Sequence, residues 1–411
     1  MRIMFLHMFP LWGNGSGSWL RKLADQLAKK GHTVAIVAPE KRPLTGIKLY
    51  TVKPPQMGVF VGNPELKNAK KYEDMNGVEI GEIYTTYVNT TLKAVREFQP
   101  EIVHAFHTAF LPPVARLVKI LYGIKFVITT HGSDLHYLSR DRRLIGLIDD
   151  ANSVARFITA NSAFTKRWYL DMFGHQHAYK TRTILGGVDL KDYTKDFSNE
   201  ISKINKKYSL DGKKVVLFTG RLTKYKGVDY LIRASKNIQG TVLIVGDGPE
   251  RQNLEKLIKD YEITNVKILG WIKSEDHISL QAFYARSDVY VAPSTWKEPF
   301  GLVIVEAMAS KKPVVATHSG GITSIIKNEV NGFLVKTRDS KAITDKVNEL
   351  LANDELRKTI GDKAFETVKQ KFTWEKMTDE YEKIYKKFRF TTKEYLHAVR
   401  ELPKKHTTRY K

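Results

Sequence analysis

Short apolar runs alternate with amphipathic stretches along almost the whole chain. The first run, 2–6, meets a Gly-rich turn at 13–17. A helix from Ser18 to Lys30 follows, with Trp19, Leu20, Leu23 and Leu27 on one face and Gly31 as its stop. A second run at 33–38 completes a βαβ unit. Runs at 78–84, 102–106, 125–130, 157–160 and 183–185 read as further strands. Stretches near 88–98, 111–121, 142–154 and 163–173 read as helices, the last with Ser162 as N-cap. The rhythm breaks over 189–212, which is polar and carries the turn Asp211-Gly212. It resumes with strand 214–219, helix 228–238, strand 241–246, helix 250–260, strand 266–269, helix 275–286, strand 288–292, helix 301–310 and strands 313–316 and 332–335. The alternation predicts an α/β protein with parallel sheets. It is read as two tandem Rossmann-like, doubly wound domains facing a cleft. The first spans 1–187 and the second 188–370, with the C-terminal helices of about 371–411 packing back on the first. In open sheets of this kind ligands lie beyond the carboxyl ends of the strands.

The loops after the strands are therefore where chemistry is expected. Glu298-Pro-Phe-Gly301 precedes the apolar helix that carries Glu306. A helix start offers unpaired N–H groups to a phosphate, and two flanking carboxylates accept bonds from hydroxyls. A nucleotide sugar needs that combination; a surface loop before a core helix is the plainer alternative. After the strand at 214–219, Gly220-Arg221 and Lys226-Gly227 bring two cations to a helix start, where they suit a diphosphate. Gly246 ends the next strand in Val245-Gly-Asp-Gly-Pro249, a tight turn beside a nucleotide. In the first half, Gly15 and Gly17 let backbone approach a phosphate or sugar, and His131 follows a strand end, placed to donate to a substrate oxygen. His104 and His107 flank another strand end as candidates for metal or acceptor.

Composition narrows the field. The 411 residues exceed one ordinary core. A formal net charge of +23 favours anionic partners, among them nucleotides and phospholipid surfaces. Nucleic acid is not expected, because no aromatic–basic recognition module is present. The absence of cysteine excludes disulfides, thiolate zinc sites and cysteine nucleophiles. No Asp-x-Asp occurs, so Lys and Arg would neutralise a diphosphate, and neither metal nor other cofactor is expected. The first apolar run is too short for a signal peptide, and no run of about 18 apolar residues exists. A cytoplasmic setting is expected. The basic tail 391–411 and the basic, Pro- and Gly-rich segment 40–78 suggest peripheral contact with anionic membrane on its inner face.

Taken in order, these strings resemble the GT-B glycosyltransferases of the large family-4 type, which transfer sugars with retention. The matching strings are Gly220-Arg221-Leu with Lys226-Gly227, Val245-Gly-Asp-Gly-Pro249, Pro293-Ser294, Glu298-Pro-Phe-Gly301, Glu306-Ala-Met, Gly320-Gly321-Ile322 and Asn331-Gly332-Phe333-Leu334-Val335. Thr130-His131-Gly132, Asn161-Ser162 and Gly186-Gly187-Val188-Asp189 match in the first half. The resemblance covers about 1–390. It implies that Arg221 and Lys226 bind the donor diphosphate, Glu306 the ribose hydroxyls and Glu298 the transferred sugar. It places the backbone at Phe300, Gly301 and Leu302 along sugar and phosphate, the Gly15–Gly17 loop over the diphosphate, and His131 near the reacting carbon. The leaving phosphate would serve as base, and magnesium need not be present. The family's loop is often Gly-Gly followed by a charged residue; here it is Gly15-Ser-Gly17-Ser-Trp19, which leaves the phosphate-contacting residue there open.

The expected activity is transfer of a hexose from a UDP- or GDP-linked donor to a hydroxyl of a glycan, lipid-linked or small-molecule acceptor. A soluble disaccharide or polysaccharide synthase on the same fold is an alternative. A binder of sugar nucleotides without transferase activity has no need of Arg221, Lys226, Glu298 and Glu306 together. A phosphorylase-like use of the fold would need a cofactor lysine signature that is absent.

Overall fold

The structure, a computed structural model, describes residues 1–60, 69–272 and 274–388. The chain falls into two compact units. Of the described residues, one comprises those within 1–161, 165–184 and 377–388; the other comprises those within 162–164 and 185–376.

In the first unit the strands are β1 (Arg2–Leu6), β2 (Thr33–Ala38), β3 (Ile47–Thr51), β4 (Gly58–Val59), β5 (Lys70–Lys71), β6 (Ile102–Phe106), β7 (Phe126–Thr130), β8 (Phe157–Ala160) and β9 (Thr181–Thr183). β4 and β5 pair with each other, and the other seven form one sheet in the order β3-β2-β1-β6-β7-β8-β9. Every pairing in that sheet is parallel. β6, β7 and β8 are buried at every position, which is why they read as continuous apolar runs. The chain works outward from β1 to β3 and then returns to the other side of β1. The topological switch point thus lies between β1 and β6.

The segment 78–84, expected as a strand, is helical. It opens a helix over Gly77–Phe98. Asn76 caps it, accepting from Val78 N at 2.9 Å and Glu79 N at 3.0 Å, while Glu79 Oε2 accepts from Asn76 N at 2.8 Å. This reciprocal pair satisfies donors that a strand would leave to a neighbour. Ile80, Ile83, Tyr87, Ala94 and Phe98 are buried along its face. The segment 40–78 contributes β3 to the sheet edge, and the tail 391–411 lies outside the described residues.

Tyr381 and Tyr385, on the helix Trp374–Lys386, join a buried polar chain in the first unit. His104 Nδ1 lies 2.6 Å from Tyr385 OH and its Nε2 2.7 Å from Thr129 Oγ1. Thr129 Oγ1 in turn meets Thr159 Oγ1 at 2.6 Å and Tyr381 OH at 3.1 Å. Both ring nitrogens of His104 are therefore engaged in holding this helix, as a buried imidazole requires.

The second unit holds β10 (Val215–Thr219), β11 (Thr241–Val245), β12 (Val266–Gly270), β13 (Val289–Ala292), β14 (Val314–Thr317) and β15 (Phe333–Val335). Their order is β12-β11-β10-β13-β14-β15, again all parallel, with the reversal between β10 and β13. The polar stretch 189–212 contains a helix over Ser198–Tyr208 whose single buried residue is Ile204. One buried position gives too thin an apolar stripe to announce a helix by periodicity.

Candidate active site

The loops that leave β10 and β13 stand side by side at the reversal of the second sheet. After Thr219 the backbone passes Gly220 at φ 142°, Arg221, and a 3₁₀ turn over Lys224–Lys226. Gly227, at φ 67°, opens the helix Val228–Ser235, and a Cβ there would stand 2.1 Å from Pro293 O in the β13 loop. Only glycine permits that approach. Gly246 serves the neighbouring contact: a Cβ on it would come within 1.9 Å of Gly220 O.

The β13 loop carries Ser294, Trp296 and Glu298 to Gly301, whose φ of 104° starts the helix Leu302–Ala309. Lys226 Nζ donates to Glu298 Oε2 at 2.7 Å, with side-chain exposures of 22% and 15%. Trp296 Nε1 donates to the same oxygen at 3.2 Å and Ser294 Oγ at 3.3 Å. Glu298 O accepts from Gly321 N at 2.6 Å, fixing the loop from below. Thr219, Lys226, Ser294, Glu298, Gly301 and Ile322 line one hollow there. Phe300 is buried with its ring 6.1 Å from that of Phe372, and it is not among the residues that line the hollow.

Glu306 is on that helix but does not line the hollow. Its Oε2 accepts from Tyr284 OH at 2.8 Å, and Tyr193 also hydrogen-bonds it. Burial pushes its carboxyl up to about 7, against the lowering by the two tyrosines. Behind it, Thr219 Oγ1 meets Tyr284 OH at 2.6 Å and Tyr290 OH at 3.1 Å. The network runs from the end of β10 to the carboxylate.

In the first unit, the Gly-rich turn is shorter than expected. The helix runs over Gly15–Lys29, so Gly15 and Gly17 form its first turn rather than a free loop. Asn14 is its cap, accepting from Gly17 N at 2.7 Å. Gly17 is pressed against Leu11, whose carbonyl oxygen would lie 2.6 Å from a Cβ.

His131 follows β7 and is buried, with ring contacts to Trp19 at 5.4 Å, Phe106 at 5.2 Å and His107 at 4.9 Å. Burial, with His7 nearby, holds its pKa down at about 3, so the ring is neutral at pH 7. Its Nε2 has no partner among the described residues. Asp134 sets the turn, accepting from Thr108 N at 2.6 Å, Gly132 N at 2.7 Å and Leu135 N at 3.1 Å. His107 sits in the same aromatic cluster, its pKa held well below normal by burial. Among the described residues, no group of three or more His, Asp or Glu is arranged to hold a metal ion.

Sequence reasoning thus named Lys226, Glu298 and Gly301, which the structure brings to one hollow, together with Arg221, Gly220 and Gly246 in the adjoining loops. It passed over Trp296, Tyr284, Tyr193 and Asp134. Trp296 carried one signal, a tryptophan in a polar loop between a strand and a helix. Tyr284 carried none, since an aromatic on a helix usually packs.

The chain is similar to known proteins along most of its length. The model of Glycosyltransferase Family 4 matches residues 13–192, and that of Glycosyl transferases group 1 matches 200–367. An uncharacterised glycosyltransferase of Methanocaldococcus jannaschii is 28% identical over 89% of this chain and 92% of its own length. N-acetyl-alpha-D-glucosaminyl L-malate synthase of Bacillus anthracis is also 28% identical, over 90% of this chain and 93% of its own. Sucrose-phosphate synthase of Thermosynechococcus elongatus superposes with a TM-score of 0.75 at 21% identity, over 94% of this chain and 98% of that one. The Anabaena protein HepE, solved with UDP-glucose, gives 0.72 at 22%, over 94% and 100%. The two doubly wound sheets, with cations and carboxylates at the carboxyl ends of one, define a GT-B transferase. The chain belongs to the group 1/family 4 glycosyltransferases and is a nucleotide-sugar-dependent hexosyltransferase.

Proposed function

We propose that this enzyme takes a hexose from a UDP- or GDP-linked donor held on the second unit and transfers it to a hydroxyl with retention of configuration. Arg221 and Lys226 neutralise the diphosphate, Glu298 accepts from hydroxyls of the hexose, and Glu306 accepts from the ribose. Gly220, Gly246 and the backbone at Phe300, Gly301 and Leu302 line the nucleotide and sugar. From the first unit, the helix turn at Gly15 and Gly17 serves the diphosphate, and the neutral His131 serves the hexose near the reacting carbon. As the bond from the anomeric carbon to the phosphate breaks, one to the acceptor oxygen forms on the same face. The departing phosphate oxygen takes the acceptor proton, so neither glutamate acts as base.

The Lys226–Glu298 pair at the switch point carries this reading, because it puts a cation and a hydroxyl acceptor within one hollow. The UDP-glucose complex of HepE supports the donor class. Calorimetric titration with UDP, GDP and ADP tests it. UDP or GDP, rather than ADP, is expected to bind the wild type in the micromolar range, and Lys226→Ala to bind that nucleotide at least ten-fold more weakly. Binding of none, or equal binding by the variant, refutes the assignment.

The acceptor is a hydroxyl of a glycan or a lipid-linked glycan, reached at an anionic membrane surface through the basic tail 391–411. The net charge of +23 supports this, since each basic residue near such a surface contributes about 1 kcal/mol. The helices include none long and apolar enough to cross a membrane among the described residues. The full chain is expected to float with phosphatidylglycerol vesicles at low salt, and a chain ending at Phe388 to float less. Absence of flotation, or no difference, removes the membrane from the reading.

A further inference from the structure

A carboxylate has two oxygens with about four lone-pair positions between them. On Glu298 all three side-chain donors fall on Oε2: Lys226 Nζ at 2.7 Å, Trp296 Nε1 at 3.2 Å and Ser294 Oγ at 3.3 Å. Oε1 takes no bond from the described residues. The terminal torsion of a glutamate is broad and two-fold, so an unconstrained carboxylate would present either oxygen in any plane. The three donors differ in what they can fix. Lys226 is a charge on a flexible stem and the Ser294 hydroxyl rotates, whereas the indole N–H is a rigid donor that cannot accept.

Trp296 is itself held. Its ring packs on Tyr225 with centroids 5.1 Å apart and planes at 52°, and its carbonyl accepts from Ser319 Oγ at 2.7 Å. Tyr225 immediately precedes Lys226, and its carbonyl accepts from Thr295 N at 2.9 Å and Thr295 Oγ1 at 3.2 Å. The loop that carries the cation and the loop that carries the carboxylate are thereby locked through one aromatic pair.

We propose that Trp296, backed by Tyr225, is a positioning residue that fixes the Lys226–Glu298 pair and leaves Glu298 Oε1 as the oxygen that receives the donor's hexose. The inference rests on the assignment of that pair to the donor sugar. It makes Trp296 a determinant of which hexose is accepted: a carboxylate held in one plane meets one arrangement of hydroxyls, and a swivelling one meets several.

Trp296→Phe keeps the ring on Tyr225 and removes only the N–H. The variant is expected to melt with the wild type and to bind the free nucleoside diphosphate, which lacks the sugar, with unchanged affinity. It is expected to lower kcat with the nucleotide sugar about ten-fold and to narrow the preference between donors epimeric at one hydroxyl. Tyr225→Leu, which keeps the N–H and removes the stack, is expected to move the same two quantities in the same direction. Wild-type kcat and donor preference in Trp296→Phe overturn the proposal, and so does a kcat loss accompanied by equal losses in Tm and nucleotide affinity. Glu298→Gln separates the two levels. If it is inactive while Trp296→Phe is normal, only the role of Trp296 falls; if it turns over normally, the assignment of the pair falls as well.

Discussion

Lys226→Ala is expected to lower kcat by about 10²–10³-fold, the cost of removing one preorganised charge from where negative charge develops. Two effects contribute and can be separated. Lys226 faces the diphosphate in the proposed mechanism, and it also donates to Glu298 at 2.7 Å. Without it, Glu298 would keep Ser294 and Trp296 as its side-chain donors among the described residues. A double-mutant cycle with Glu298→Gln distinguishes the routes. If Lys226 acts only by orienting Glu298, the double variant is no slower than Glu298→Gln alone. If it acts on the leaving phosphate, adding Lys226→Ala to Glu298→Gln costs most of the original factor again. The second outcome is expected, measured as initial rates at saturating donor. Wild-type kcat in Lys226→Ala would remove this lysine from the mechanism.

The parts of this molecule legible in the sequence are those whose local pattern and tertiary environment agree. β1, β2 and β6 are runs of apolar residues bounded by turn residues, and the sheets bury them as such. Glu298 and Lys226 were legible because glycines at 220, 227 and 301 mark loops at strand ends. The segment 78–84 misled because Val78, Ile80 and the glycine at 81 imitate a short alternating strand; Asn76 and Glu79 carried the better signal, a capping box before an apolar stripe. Tyr193 and Tyr284 were invisible for another reason. They meet Glu306 from the helices Lys191–Thr194 and Leu280–Arg286, at separations in sequence that no spacing rule joins. Periodicity finds what lies on one element. A site assembled from several is found only once the sheet order is known.

Those tyrosines lead to the second large effect. Glu306 titrates near 4.5 in the unfolded chain and near 7 in the folded protein, because burial penalises its charge more than Tyr284 and Tyr193 relieve it. Below about pH 4.5 both states are protonated there, and the group imposes no penalty. Between 4.5 and 7 the folded state keeps a proton that the unfolded chain releases, so stability falls as pH rises. Above 7 the full penalty is present, up to about 3 kcal/mol for a shift of this size. A neutral amide at this position would resemble the protonated acid and escape the penalty. Glu306→Gln is therefore expected to match the wild type near pH 4, below both pKa values, and to be more stable by up to about 3 kcal/mol at pH 8, read from denaturant unfolding at each pH. Parallel curves with no divergence would show that Glu306 ionises freely. Nucleotide affinity should move the other way. An ionised carboxylate accepts from ribose hydroxyls more strongly than a neutral acid, so wild-type affinity for the nucleoside diphosphate should rise from pH 6 to pH 8. The variant should bind more weakly at pH 8 and lose this rise. The two opposite slopes separate a carboxylate kept for ligand binding from one that merely packs against tyrosines, since packing alone predicts the stability change without the change in affinity.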